Sequence, residues 1–511
     1  MRPMAPSMAS VLIKSTSSVR APNCTTSGCL GNYRLSTLLP NTTDQQTYKL
    51  DQTLGRFGSV FGRYTKADYV LNTVGRISLP SGLNIFTENS TSWEIAHTIS
   101  LGSRNVNNFR YGRLGAVSIQ GSAPAPASFV SALGFTGTFT NLPDYARGYP
   151  SVAFQNLSGT VGSPGNNPTT SDIPVWEVTD SFTTIHGRHT IGIGFDYRSW
   201  VQKRNLSTNF LGSFAYNNDL IKQNGGNGTV TVAGTVVKNA DPNDPNAPTP
   251  CPTVTCATGN AVADFLLGYY HDTSTFQPGP FSTAGVAGNL NKFHFKYFAP
   301  YVQDDWKVNN RLTLNLGLRW DFRGIPYEEN DKMFWFDTAN TKGGLCFARQ
   351  EILTDGIAPV GNGFYRYCGR RNPKSSSLMP FAPRIGFALR PFGDNATAVR
   401  GGYGVYFDSS GTREIDNSGD LYPFVTRAAL APISQKVPKL TDQLFPALSA
   451  PTQVTIAAQG SQFFAVIISE NPMNPYVQQW SLSVERELAK NTTLEVNYVG
   501  NKGTHLLVLQ L

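Results

Sequence analysis

The sequence predicts an all-β protein, a large antiparallel transmembrane β-barrel. Three observations lead there. Apolar and polar residues alternate strictly over strand-length segments. Charged residues make up only 15% of the 511 residues, whereas aromatics reach 12%; soluble domains carry about 25% charge. Long stretches rich in Asn, Gly, Thr and Pro separate the alternating segments. Such low charge with so many aromatics excludes charge-driven disorder, and the absence of a Gly period excludes a collagen-like chain. The longest apolar runs, such as Phe463 to Ile468, fall far short of the roughly 18–20 residues of a membrane-spanning helix.

The elements follow in chain order. In His189 to Tyr197, Ile191, Ile193, Phe195 and Tyr197 alternate with Gly192, Gly194 and Asp196. The clearest segment is Arg311 to Phe322: Leu312, Leu314, Leu316, Leu318, Trp320 and Phe322 lie opposite Thr313, Asn315, Gly317, Arg319 and Asp321. Successive side chains of a strand point to opposite faces, so each segment has one apolar and one polar face; a helix would scatter the leucines around its circumference. Ile385, Phe387 and Leu389 repeat the pattern against Arg384, Gly386, Ala388 and Arg390. Val399, Tyr403, Val405 and Phe407 do so against Arg400, Gly402, Gly404, Tyr406 and Asp408. Trp480, Leu482 and Val484, then Leu494, Val496 and Tyr498, read as a hairpin around Ala489 to Asn491.

A soluble sandwich buries one sheet face against another sheet. A membrane barrel turns the apolar face to lipid and the polar face to a lumen. The barrel is favoured by segments of about 9–11 residues, the span of a tilted membrane strand. Full charges on the polar face (Arg319, Asp321, Arg384, Arg390, Arg400) suit a wet interior. Aromatics near strand ends (Tyr297, Phe298, Tyr301, Trp306, Trp320, Phe322, Tyr403, Tyr406, Phe407) are expected to form interfacial girdles. Asn217 to Asn260, Asp331 to Pro380 and Pro423 to Gly460 read as long irregular connections, as on the outer rim of a barrel.

Other features are weaker. The net charge of +8 comes from dispersed basic residues, so nucleic acid is not an expected partner. Six cysteines (Cys24, Cys29, Cys251, Cys256, Cys346, Cys368) in loop-like segments fit local disulfides in an oxidising compartment, with pairing left open. No phosphate-binding loop, nucleophile elbow or paired-His zinc motif occurs. His186 and His189 are expected at a rim rather than on a metal. Asp304 and Asp305 point to opposite faces, which argues against a catalytic dyad. Asp241 to Asn246 reads as a turn-rich loop lacking the Gly and terminal Glu of a calcium site. No catalytic residue, metal or cofactor is expected, and an enzyme is the weakest class.

Several phrases carry a family resemblance: FGRYTKADY (Phe61 to Tyr69), HGRHTIGIGFDYR (His186 to Arg198), AVADFLLGY (Ala261 to Tyr269), YFAPYVQDDWKVNNRLTLNLGLRWD (Tyr297 to Asp321), FAPRIGFALRPFGDNATAVRGGYGVYFD (Phe381 to Asp408) and NPYVQQWSLSVERELAKNTTLEVNYVGNKGTHL (Asn474 to Leu506). Together they resemble the barrel of Oar-like TonB-dependent outer-membrane receptors, from about Tyr48 to Leu506. The resemblance implies a plugged barrel of about 22 strands, of which this chain would supply about 16–20. It also implies three partners: outer-membrane lipid, the TonB complex of the full-length family and an unidentified solute. Residues 1–47 are expected to be an irregular remnant without recognisable plug or signal peptide, and residues 48–511 the barrel, incomplete at its C-terminus.

The expected function is energy-coupled uptake of a large solute across the outer membrane. Siderophore, oligosaccharide, peptide and cobalamin-like solutes stay open. Face parity alone nominates Arg319, Asp321, Arg384, Arg400 and Glu485 as lumen-facing candidates. The alternatives are an outer-membrane adhesin or interaction barrel without transport, and a soluble secreted glycan-binding β-protein.

Overall fold

The computed structural model describes residues 39–74, 83–122, 151–154, 160–161, 169–206, 213–216, 229–232, 235–238, 272–278, 289–336, 344–350, 365–373, 380–392, 396–408, 425–430 and 474–506. Twelve strands form the main sheet: β1 (Thr42–Thr53), β2 (Ser59–Val74), β3 (Leu83–Leu101), β4 (Asn105–Ser122), β5 (Thr169–His186), β6 (His189–Leu206), β7 (Asn289–Lys307), β8 (Leu312–Trp320), β9 (Phe381–Leu389), β10 (Thr397–Phe407), β11 (Tyr476–Ala489) and β12 (Thr492–Thr504). They pair antiparallel in chain order from β1 to β12, and the short strands Phe322–Arg323 and Tyr327–Glu328 add to the far half of β7. The sheet therefore starts at Thr42, so residues 42–47 belong to it and not to an irregular remnant.

Connections alternate between two rims. One rim carries the short connections 54–58, 102–104, 187–188, 308–311, 390–396 and 490–491; the other carries 75–82, 123–168, 207–288, 321–380 and 408–475. This is the rim asymmetry of an outer-membrane barrel. Two of the tight hairpins place Gly187 (φ +57°) and Asn491 (φ +67°) in the left-handed region that these residue types tolerate.

Register fixes the faces. Residues directly opposite in an antiparallel pair share a face, so one row can be followed across strands. Leu318 lies opposite Val302, Val302 opposite Ile193, and Ile193 opposite Phe182. In the other direction Leu318 lies opposite Pro383, while Ile385 meets Tyr403, Tyr403 meets Trp480, and Leu482 meets Tyr498. Every apolar set read from the sequence falls on this one face. The face is uncovered: Leu318 is 45% exposed, Ile385 56% and Val496 61%. A continuous uncovered apolar surface is not a sandwich core; it is a surface made for lipid. It has polar breaks at Asp180, which accepts from Asn107 Nδ2 (2.9 Å), and at Asp304, which pairs with His189 Nδ1 (2.6 Å).

The structure corrects three expectations. Strands β2 to β7 run well beyond the 9–11 residues expected, β3 and β7 to 19, because they continue past the apolar band toward the long-connection rim. Tyr297, Tyr301 and Tyr406 are not girdle residues: their parity puts them on the polar face, whereas Phe298, Trp306, Trp320, Tyr403 and Phe407 face the apolar side. The long stretches are not wholly irregular either. Residues 217–260 hold the hairpin Thr229–Val232 with Thr235–Lys238, and Val425–Leu430 pairs with Asp272–Pro278.

Residues 331–380 contain the best-packed part of the described chain. Phe334–Phe336, Leu345–Phe347 and Tyr365–Tyr367 make a small sheet. Its Met333, Trp335, Cys346 and Ala348 pack on Phe293 and Phe295 from the polar face of β7. Cys346 and Cys368 form a disulfide; the other four cysteines lie outside the described residues, as does Asp241 to Asn246. Arg371 ties the cap to the strand end, donating to Asp331 Oδ1 and to the carbonyls of Glu328 and Glu329. Glu329 accepts from Lys292 Nζ (2.8 Å), which holds its carboxyl below the usual range against a smaller opposing effect of burial. Closing a loop of this size by a disulfide contributes roughly 3 kcal/mol. The double change Cys346→Ser/Cys368→Ser is accordingly expected to speed amide exchange at residues 344–350 by roughly a hundredfold, with β8 to β12 unchanged. Equal protection in both proteins would show that the packed aromatics alone hold the cap.

Candidate functional site: the polar wall

The polar face is built by the neighbours of the apolar residues. It carries Arg63, Glu94 and Arg110 at one end of the sheet, Glu177, Asp196, Arg198, Tyr297, Arg319 and Asp321 in the middle, and Arg384, Arg400 and Glu485 toward the other end. All five lumen candidates stand on this face or at its margin.

Four of the five are paired. Arg319 lies at the centre of a network spanning β5 to β8. Its Nε donates to Asp321 Oδ1 (3.0 Å), its NH2 donates to Tyr297 Oη (2.8 Å), and the same NH2 is 3.5 Å from Asp196 Oδ2. Tyr297 Oη in turn donates to Asp321 Oδ1 (2.6 Å). Arg198 joins Asp196 (2.9 Å) to Glu177 (3.1 Å). The Arg323 guanidinium sits over the Tyr297 ring at 5.2 Å. Three guanidinium groups thus balance the three carboxylates Glu177, Asp196 and Asp321. Asp196 is buried, and among the described residues its Oδ1 has no hydrogen-bond partner, so the network is held in place by register rather than by complete satisfaction of every lone pair. Arg400 and Glu485 pair directly at 2.7 Å.

Arg384 differs. Among the described residues it has no carboxylate partner; its guanidinium lies over the Tyr406 ring at 4.8 Å. It borders a trough of about 580 Å³ on the wall, lined also by Gln303, Asp305, Asn315, Gln479 and Asn501. Glycines at 317, 386 and 402 leave the floor bare, while the Tyr406 ring lies over Gly404. Asn315 Nδ2 donates to Asp305 Oδ1 (2.6 Å), which fixes that carboxylate. The trough offers the Arg384 guanidinium and, across the glycine floor, the Asp305 carboxylate among neutral donors and acceptors, and can hold a polar solute whose anionic group lies at the Arg384 side.

Asp304 and Asp305 do face opposite sides: Asp304 meets His189 on the apolar face, and Asp305 lies on the wall. His189 stacks on Trp306 at 5.3 Å by the tight-turn rim. Among the described residues no cluster of three metal-ligating side chains occurs. Single-segment parity missed Asp196, Arg198, Tyr297, Gln303 and Gln479. The signal was present in HTIGIGFDYR, where Asp196 and Arg198 continue the polar set of Gly192 and Gly194.

The sequence matches the family model described as "Outer membrane beta barrel domain" over residues 3–510. No curated protein matches it significantly. Solved structures with a similar course include the ferric yersiniabactin uptake receptor FyuA from Yersinia pestis (8% identity, 91% of this chain, 45% of that one, TM-score 0.39). They also include the outer membrane transporter YddB from Escherichia coli (9%, 90%, 46%, 0.35) and the alcaligin outer membrane receptor FauA from Bordetella pertussis (8%, 90%, 53%, 0.36). The chain spans about half the length of these structures.

Proposed function

Because the chain belongs to the outer membrane beta barrel domain family, we propose that it walls an outer-membrane transporter of the TonB-dependent class, taking up a large solute by energy-coupled passage along its polar face. The observation that carries this reading is the wall itself. It is a continuous polar face crossing the whole sheet, on which Arg319, Asp321, Arg400 and Glu485 are paired while Arg384, among the described residues, has no carboxylate partner. A wall that had only to be wetted would not need a bare glycine floor beside an unpaired guanidinium. Arg384 is the proposed solute contact, by charge and hydrogen bonding to an anionic group. Arg319, Asp321, Arg400 and Glu485 keep the wall rigid and electrically balanced.

Energy coupling is tested by uptake of a panel of ferric siderophores, oligosaccharides, peptides and cobalamin in cells with and without TonB. Uptake of at least one solute is expected to vanish without TonB; uptake that persists undiminished contradicts the coupling. For that solute, Arg384→Met is expected to lower uptake by about tenfold, the effect of losing one charge-assisted hydrogen bond of about 1.5 kcal/mol. Heat-modifiable migration, a readout of folding, should stay unchanged. An adhesin would bind cells or matrix through the long connections and show no TonB dependence.

A further inference from the structure

On the apolar face, one row crosses five strands: Trp93 on β3, Arg113 on β4, Trp176 on β5, Ser199 on β6 and Lys296 on β7. Arg113 lies eight residues above its tight turn and Lys296 eleven. With about 3.3 Å per residue and a tilt near 40°, that is about 20–28 Å above the tight-turn rim. An outer-membrane apolar band is about 25 Å tall, so the row marks its upper boundary. The charge pattern agrees. Below the row lie Val178, Tyr197 and Phe298. Above it Lys66 pairs with Asp68 (2.9 Å), Lys203 with Asp172 (2.7 Å) and Lys292 with Glu329 (2.8 Å).

Arg113 and Lys296, in the row itself, are not paired in this way. Among the described residues neither has a carboxylate partner, although both sit where water gives way to acyl chains. Arg113 is held ready. Its guanidinium lies 5.5 Å from the Trp176 ring centre and folds back over Gly115, where a Cβ would come within 3.2 Å of its NH1. Trp93, Tyr111 and Trp176 pack against one another at 5.3–6.0 Å beside it. Lys296 lies three strand spacings away, roughly 14 Å. Two unpaired cations at the lipid boundary, one within an aromatic shelf and one two strands beyond it, are complementary to an amphiphile with phosphate at its head.

We propose that Arg113 and Lys296 bind the phosphorylated headgroup of a lipid in the leaflet on the long-connection side, with Trp93, Tyr111 and Trp176 lining the start of its acyl region. This site is on the outer wall and does not depend on transport. The test uses the full chain in neutral detergent, incubated with a diphosphorylated glucosamine-disaccharide lipid, and measures lipid retained per protein after gel filtration. The wild type is expected to retain the lipid, and to retain its dephosphorylated counterpart about tenfold less. Arg113→Gln/Lys296→Gln is expected to lose about tenfold, Arg113→Lys to lose less, and Lys203→Gln, which touches only a paired cation, to behave as wild type. Equal retention of the two lipids by the wild type overturns the proposal without any variant. Equal retention by a folded double variant does so too, as does displacement of the lipid by an equimolar amount of inorganic phosphate, which marks a free-anion site. Folding of each variant is read from heat-modifiable migration.

Discussion

Leu318→Arg is expected to destabilise the folded protein in bilayers by about 2–4 kcal/mol, the cost of an arginine on the lipid face of a barrel near the midplane. Leu318 lies six residues above the tight-turn rim, between Val302 and Pro383, on the uncovered apolar face. The guanidinium there has no carboxylate across the strands and no water. Ser481→Arg is the matched control: Ser481 lines the polar trough, and the same side chain there should cost less than about 0.5 kcal/mol. The urea midpoint of vesicle-reconstituted protein measures both. Equal penalties would mean that the two faces see the same medium.

Arg319→Met is expected to cost about 3 kcal/mol, toward the lower end for breaking a buried ion pair because Arg319 is still partly exposed. The loss is larger than that of one salt bridge. Among the described residues, Asp321 keeps only the Tyr297 hydroxyl, Asp196 keeps only Arg198, and the buried Asp196 Oδ1 has no partner to begin with. The additional change Asp321→Leu removes one of the stranded carboxylates. It should recover part of the loss, with a coupling of about 1–3 kcal/mol between the two sites. Strict additivity in the denaturation midpoints would show that Arg319 and Asp321 act independently.

The fold was legible where information is local. A period of two is written into five or six consecutive residues, and parity then assigns each side chain to a face without knowledge of its neighbours. Hence Leu312 to Trp320 and the polar Arg319, Arg384 and Arg400 were readable directly. Pairing was not. The contacts of Arg319 with Asp196, and of Arg400 with Glu485, depend on register between segments 85 or more residues apart, and a one-residue slip would send each partner to the other face. The aromatic clusters misled for a related reason. Tyr297 and Phe298 are neighbours in sequence, yet only Phe298 meets lipid, and richness in aromatics near a strand end says nothing of which face each ring takes. The disulfide-bonded cap escaped notice because strands of three residues, as in Leu345–Phe347, are too short to show alternation. Its Gly-rich surroundings read as loop, although Trp335 and Phe347 are fully buried.

The measurement that bears most directly on this architecture is quencher accessibility along β8. Single nitroxide labels at positions 313 to 318 are placed in bilayer-reconstituted protein whose four cysteines outside the 346–368 disulfide are replaced by serine. Collision rates are then recorded with oxygen, which partitions into lipid, and with a charged nickel chelate, which stays in water. Oxygen maxima at positions 314, 316 and 318, with nickel maxima at 313, 315 and 317, are the expected result. Accessibility that shows no two-residue period, or the same period with the two quenchers exchanged, would contradict the assignment of faces on which the wall, its trough and the lipid site all rest.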